Sequence, residues 1–289
     1  MATIMMSGVP VGGTIAALVG ADIIAAYGWR MMFFIPLASL LLIPLAVKVL
    51  PETMDKTRNA RNLSGSNDHG VTAAVGIFKK PHRTATAIFA IATFATLFTW
   101  FGLGTWLPRL MELQGFNLGS ALMFTVALNL GAVAGSVITG WAGGRFGPLV
   151  SASGAALAAA VGLMLMTQGS SSTLLMYFLL VFAGIGTHGT QCLIIAAVSN
   201  TYEQQIRGTA LGWALGTGRV GAVLAPQVGG LILASSLGVS AVYYVFAVSA
   251  LLAAILLLAL AVIRRQRPEL RDQLSGDNNR QMATLHPMH

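Results

Sequence analysis

The chain has 289 residues, of which 55% are hydrophobic and only 9% charged, whereas an ordinary soluble domain carries about 25% charged residues. That balance excludes a soluble domain and points to a protein built in lipid. The net charge of +8 would suit nucleic acid, but the basic residues gather at the ends of apolar segments and not on a soluble face.

Eight segments are long and apolar enough to cross a bilayer, at 4–26, 31–50, 85–107, 118–139, 149–167, 173–199, 209–234 and 239–263. The first begins almost at Met1 without a basic leader, so no cleavable signal peptide is visible. The one long connection, 51–84, is polar, contains Ser64–Asp68 and is basic at both ends, as befits a flexible linker between two helical bundles. The lone Cys192 lies inside an apolar span, so no disulfide framework is possible. The tail from Gln266 is polar and reads as disordered. With Met1 inside, fourteen of the 17 Lys and Arg residues fall on the inner side and only Arg30 and Arg109 outside. The positive-inside rule then puts both termini in the cytoplasm.

The remaining cation is Arg219, inside the Gly- and Ala-rich seventh span. It follows Arg207 by twelve residues, roughly 18 Å of helix and about half of a ~30 Å hydrocarbon core. A charge at that depth costs roughly 2.5 kcal/mol or more, which by default marks a site facing the protein interior.

An internal echo suggests a repeat. Pro10-Val11-Gly12-Gly13 in the first span matches Pro226-Gln227-Val228-Gly229-Gly230 in the seventh, each followed by a short outer turn, an aromatic-flanked helix and a basic Pro-Glu exit. The expected organisation is therefore 1–50 as the last two helices of a first half, 51–84 as a cytoplasmic loop, 85–263 as a six-helix second half and 264–289 as a cytoplasmic tail, with four helices missing before Met1. Chance likeness between Gly-rich membrane helices is the plain alternative. Small-residue stripes at Gly8-Gly12-Ala16-Gly20, Ala127-Gly131-Gly135-Thr139 and Gly208-Gly212-Gly216 let helix backbones approach closely. The first two can pair across the halves, whereas the third needs a partner that the chain itself does not obviously supply.

The stretch from Tyr202 to Gly230, together with Gly28-Trp29-Arg30, Leu50-Pro51-Glu52 and Trp106-Leu107-Pro108, resembles the major facilitator superfamily and, within it, the aromatic acid/proton symporters. The matching positions include Arg207-Gly208-Thr209, Gly212-Trp213, Gly218-Arg219, Gly221 and Pro226. The resemblance implies an all-α polytopic bundle of about eight transmembrane helices, N-terminally truncated, in a bacterial-type inner membrane. It implies a secondary transporter taking up small aromatic carboxylates with protons, with no cofactor. The competing readings are a transporter of another organic acid, sugar acid or drug, and a non-transporting remnant or regulatory module. The superfamily's Gly-x-x-x-Asp-Arg-x-Gly loop departs here, with Gly144 at the acidic position before Arg145. The family's first-helix acidic motif would lie in the absent region.

Each candidate has a plainer reading beside it. Arg219 can hold a substrate carboxylate in a bidentate fork or be neutralised structurally. His188 and Gln191 share a face of the sixth span; the histidine can exchange protons near neutral pH and the amide can bond a phenol or carboxylate, or both can glue helices. Trp100 can stack on an aromatic ring or merely pack, and Asn129 can line a cavity or join two helices. Arg207 with Glu203 reads as a surface ion pair or an inner gate latch, and Arg145 as a gating residue if the loop signature still works. Asp22 is an interfacial acid or a proton site. Zinc-protease, phosphate-loop and nucleophile-elbow patterns are absent, so neither an enzyme nor a metal site is expected.

Overall fold

A computed structural model describes residues 6–34, 36–37, 40, 42–49, 76–80, 82–168 and 172–266. The central part of the long loop and the tail beyond Gln266 lie outside the described residues. The α-helices are α1 (Gly8–Tyr27), α2 (Leu42–Val49), α3 (Arg83–Leu113), α4 (Leu118–Phe146), α5 (Pro148–Met166), α6 (Thr173–Thr201), α7 (Gln204–Ala234) and α8 (Gly238–Gln266). Among the described residues, α3 to α8 are six helices long and apolar enough to cross a membrane. The chain is an all-α, multi-pass membrane protein.

Within the expected span at 31–50, the described residues form a 3-10 turn at Trp29–Phe33 and a helix of 8 residues at Leu42–Val49. Residues 35, 38, 39, 41 and 50 lie outside the described residues.

Turn chemistry sets the other boundaries. Helix α3 runs through Pro108, where the expected span ended, and stops only at Gly115. There the backbone turns to φ 96°, and Phe116 N–H reaches Met111 O at 3.1 Å. This is a glycine-centred helix stop. Asn117 then caps α4, its Oδ1 accepting from Ser120 N at 2.8 Å. Between α4 and α5 stands only Gly147, at φ 89°, followed by Pro148 at the first turn of α5.

The core is assembled by backbone approach. Added Cβ atoms at Gly131, Gly135, Gly189 and Gly143 would strike Val181, Ile185, Thr139 and Leu193 respectively. In all four pairs the numbers differ by 50, so α4 and α6 run parallel in constant register. A Cβ on Gly184 would collide with the Leu128 carbonyl oxygen, and one on Gly186 would lie 2.5 Å from the Ala155 oxygen of α5. Helix α8 bonds its neighbours through hydroxyls: Thr99 Oγ1 donates to Phe246 O at 3.1 Å, Ser249 Oγ to Ala95 O at 3.0 Å and Ser153 Oγ to Ala254 O at 2.8 Å. Elsewhere buried threonines turn back on their own helix, as Thr93 does to Phe89 O at 2.6 Å. Hydrocarbon offers no water to satisfy them otherwise.

The small-residue stripes behave differently from expectation. The stripe on α4 packs on α6, not on α1. Helix α1 does pack on α4, but through Gly13, whose Cβ would sit 2.8 Å from Asn129 Oδ1; Gly8 and Gly12 face open space. On α7 the packing row is Gly218, Gly221 and Gly229, set against α3, while Gly208, Gly212 and Gly216 have nothing within 4 Å. Only 22% of the most apolar stretch of α7 is buried, against 67% for α6. One long face of α7 is therefore uncovered.

This contrast predicts opposite effects for the same change. Gly184→Ala should lower stability in detergent by about 1–3 kcal/mol or more, because the added methyl meets backbone. Gly212→Ala should leave it unchanged or raise it by up to about 1 kcal/mol, since alanine is the better helix former and nothing obstructs it. Paired thermal-unfolding curves of the two variants check both.

Candidate functional site

Mid-depth residues of α3, α6 and α7 converge at one level of the bundle. Arg219 lies 15 residues from Gln204 and 15 from Ala234, the two ends of α7, about 22 Å from either. Its side chain is exposed in the middle of the helix, far from both ends. It stands on the open face that carries Gly212 and Gly216, not in a crevice between close-packed helices as the sequence suggested. Its guanidinium carbon is 6.0 Å from the ring centre of Phe101 on α3, a cation–π contact. Among the described residues the one ion pair is Arg109–Glu112 at 3.0 Å, so no described carboxylate neutralises Arg219.

Beside Phe101, the Trp100 ring lies 5.3 Å from that of His188 on α6. His188 is buried, and its Nε2 lies 3.2 Å from the backbone carbonyl oxygen of Met6. A carbonyl only accepts, so Nε2 donates there. One turn further along α6 is Gln191, 8% exposed, whose Oε1 is buried without a hydrogen-bond partner. Trp100, His188, Gln191 and Arg219 thus come from three helices to one depth, with Phe101 beneath the cation.

The other candidates separate from this group. Asn129 is buried, donates Nδ2 to Thr125 O at 3.0 Å and packs on Gly13. By the α4–α6 register it sits nine residues, roughly 14 Å, from the level of His188, a helix-joining contact. Asp22 is exposed near the C-terminal end of α1. Arg145 lies 5.9 Å from the Phe146 ring, with open space around Gly144. The expected Arg207–Glu203 ion pair is not formed: Arg207 Nε donates to Tyr202 O at 3.4 Å instead. Glu203 occupies the extended N-cap of α7, and it acts electrostatically on His82.

Two arrangements escaped the sequence reading. Near the C-terminal ends of α3 and α7, Trp106 Nε1 donates to Pro226 O at 2.8 Å, over Gly229 and Gly230. A tryptophan facing a Gly-Gly pair was the available signal. Near the N-terminal ends of the same helices, the Thr86 hydroxyl donates to Ile77 O at 2.7 Å and lies 2.8 Å from the Tyr202 hydroxyl. The His82 ring is 5.3 Å from Tyr202, and Phe78 meets Trp213 edge-on at 5.1 Å. The end of the long loop is thereby fastened to the start of α7. Burial raises the Tyr202 hydroxyl above its ordinary value and lowers the His82 imidazole, where Glu203 partly opposes and Arg264 adds to the lowering.

Comparison with known proteins fits this architecture. The sequence pattern of the Major Facilitator Superfamily matches residues 1–173 and, overlapping, 121–285. The chain belongs to that superfamily. It is 50% identical over 268 residues to a gentisate transporter of Corynebacterium glutamicum, covering 91% of this chain and 59% of that protein. It is 34% identical over 260 residues to a benzoate transport protein of Acinetobacter baylyi, covering 81% and 56%. A 4-hydroxybenzoate transporter of the same organism is 26% identical over 264 residues, covering 82% and 58%. The chain spans somewhat less than three fifths of the length of these relatives.

The cluster around His82 and Tyr202 gives a pH dependence whose sign is fixed. His82 is held below its ordinary value of 6.5 in the folded state, so the unfolded chain takes up the proton first as pH falls. Stability should be intact above about pH 7 and decline below about 6.5, and His82→Gln should flatten that decline. Melting temperatures from about pH 7.5 to about pH 5.5 for both proteins provide the check.

Proposed function

We propose that this chain is the larger part of a secondary transporter that takes up aromatic carboxylates, hydroxybenzoates among them, together with protons. It works by alternating access around the Arg219 level in a bacterial inner membrane, with both termini cytoplasmic. The observation that carries the reading is Arg219, a cation in the middle of a 31-residue helix, without a described carboxylate partner and 6.0 Å from an aromatic ring. A guanidinium so placed offers two parallel donors to a carboxylate, and the neighbouring Phe101 and Trp100 offer faces to the attached ring.

In this reading Arg219 binds the anion, Trp100 stacks on it, and His188 and Gln191 line its surroundings. His188 hands on protons, with Asp22 as a second proton group at the outer end. Arg207, Glu203 and Arg145 act at the inner gate. Asn129 borders the path and holds α1 to α4. The names of the relatives support an aromatic acid as cargo, and the excess of Lys and Arg on one side supports the orientation. The remaining helices of a full transporter are part of the proposal. One observation favours a chain that binds without completing the cycle: Gly144 leaves Arg145 without the acidic neighbour of the superfamily loop.

Saturable binding of labelled 2,5-dihydroxybenzoate to the purified chain tests the anion site. Arg219→Gln should weaken it by about 10- to 100-fold, the worth of a charge-assisted hydrogen bond. Arg219→Lys should restore part of the loss, keeping the charge without the fork. Equal binding by all three proteins would remove Arg219 from the site.

A further inference from the structure

We propose that Gln191 recognises a hydrogen-bond donor on the aromatic ring, so that the site selects ring-hydroxylated acids over unsubstituted ones. This rests on the aromatic-anion reading above and fixes which end of the ligand goes where.

The starting point is a buried acceptor with nothing to accept. Among the described residues, the buried side-chain atoms without a partner are Thr125 Oγ1, Ser151 Oγ and Gln191 Oε1. Of these residues only Gln191 lies on α6, one turn from His188, whose ring meets that of Trp100. The buried threonines of α6 satisfy themselves. Thr187, Thr190 and Thr201 donate to carbonyls one turn back at 2.7, 2.6 and 2.5 Å. An amide oxygen left bare in such a helix is owed a donor.

The chemistry of that donor is constrained. An amide oxygen accepts and cannot donate, and an ionised carboxylate also only accepts. The carboxylate therefore cannot be the group that meets Gln191 Oε1; it belongs with Arg219. What meets Gln191 is a donor at another position on the ring, and a phenolic hydroxyl is the simplest such group. The bare oxygen on α6 and the cation on α7 thus orient the ligand together, anion toward α7 and hydroxyl toward α6.

Two measurements on the whole chain test this. On the unaltered protein, 3-hydroxybenzoate should bind roughly fivefold to tenfold more tightly than benzoate or 3-methoxybenzoate, since the methoxy group fills space but donates nothing. Gln191→Met, of nearly the same length but without the acceptor, should bind all three acids alike by losing only the hydroxyl preference. Its melting temperature without ligand should be no lower than that of the parent, because no hydrogen bond has been removed. Equal binding of the hydroxy and methoxy acids by the parent would overturn the assignment. So would a preference that survives in Gln191→Met, or a variant that melts lower without ligand. Failure of every acid to bind the parent saturably would overturn the anion site itself, and this inference with it.

Discussion

Everything in this molecule follows from the lack of water around its helices. A polar group in hydrocarbon must find its partner within the protein, and apolar burial gives helices no reason to associate. The chain meets both conditions with glycine and with small hydroxyl residues. Glycines bring α4 and α6 into backbone contact, with pairs such as Gly131–Val181 and Gly135–Ile185 in a single register. Hydroxyls close on carbonyls within a helix or across to α8. That register then decides where chemistry can stand. With Gly189 against Thr139 of α4 and Gly186 against Ala155 of α5, His188 is left facing Trp100 of α3. The polar residues of α6 owe their direction to the glycines beside them.

Helix α7 shows the same logic with one face withheld. Its Gly218, Gly221 and Gly229 seat it on α3, and the opposite row stays open. Arg219 falls on the open side. A cation there is tolerable only while something of opposite polarity or high polarisability attends it. Phe101 supplies part of that.

Much of the architecture was legible because hydrophobic length is a strong signal: six of the eight expected crossings appear as long helices. The expected span at 31–50 falls partly outside the described residues, which hold a 3-10 turn and a helix of 8 residues there. The stripes were harder. A row of small residues shows that some close contact exists but not its partner, and the α1 contact at Gly13 is one residue, or 100° of rotation, away from the row at Gly12. Arg219, His188, Gln191 and Trp100 could be picked out because polar or large aromatic residues at mid-span are scarce. Their grouping could not, since it depends on which helices neighbour one another. Asn129 looked the same as Gln191 in sequence, yet one meets a glycine of α1 and the other keeps a buried oxygen without a hydrogen bond. The Glu203–Arg207 pair failed for a local reason, the turn of Arg207 back to the Tyr202 carbonyl.

The indole of Trp106, bonded to Pro226 O at 2.8 Å and seated on Gly229 and Gly230, ties α3 to α7 near their C-terminal ends. The two helices cannot part there without breaking that bond. From Pro226 to Gln204 is 22 residues, an arm of ~33 Å. Any tilt of about 10° about that tie would therefore carry the far end through roughly 6 Å, the width of an aromatic ring, and Arg219 only about a third as far.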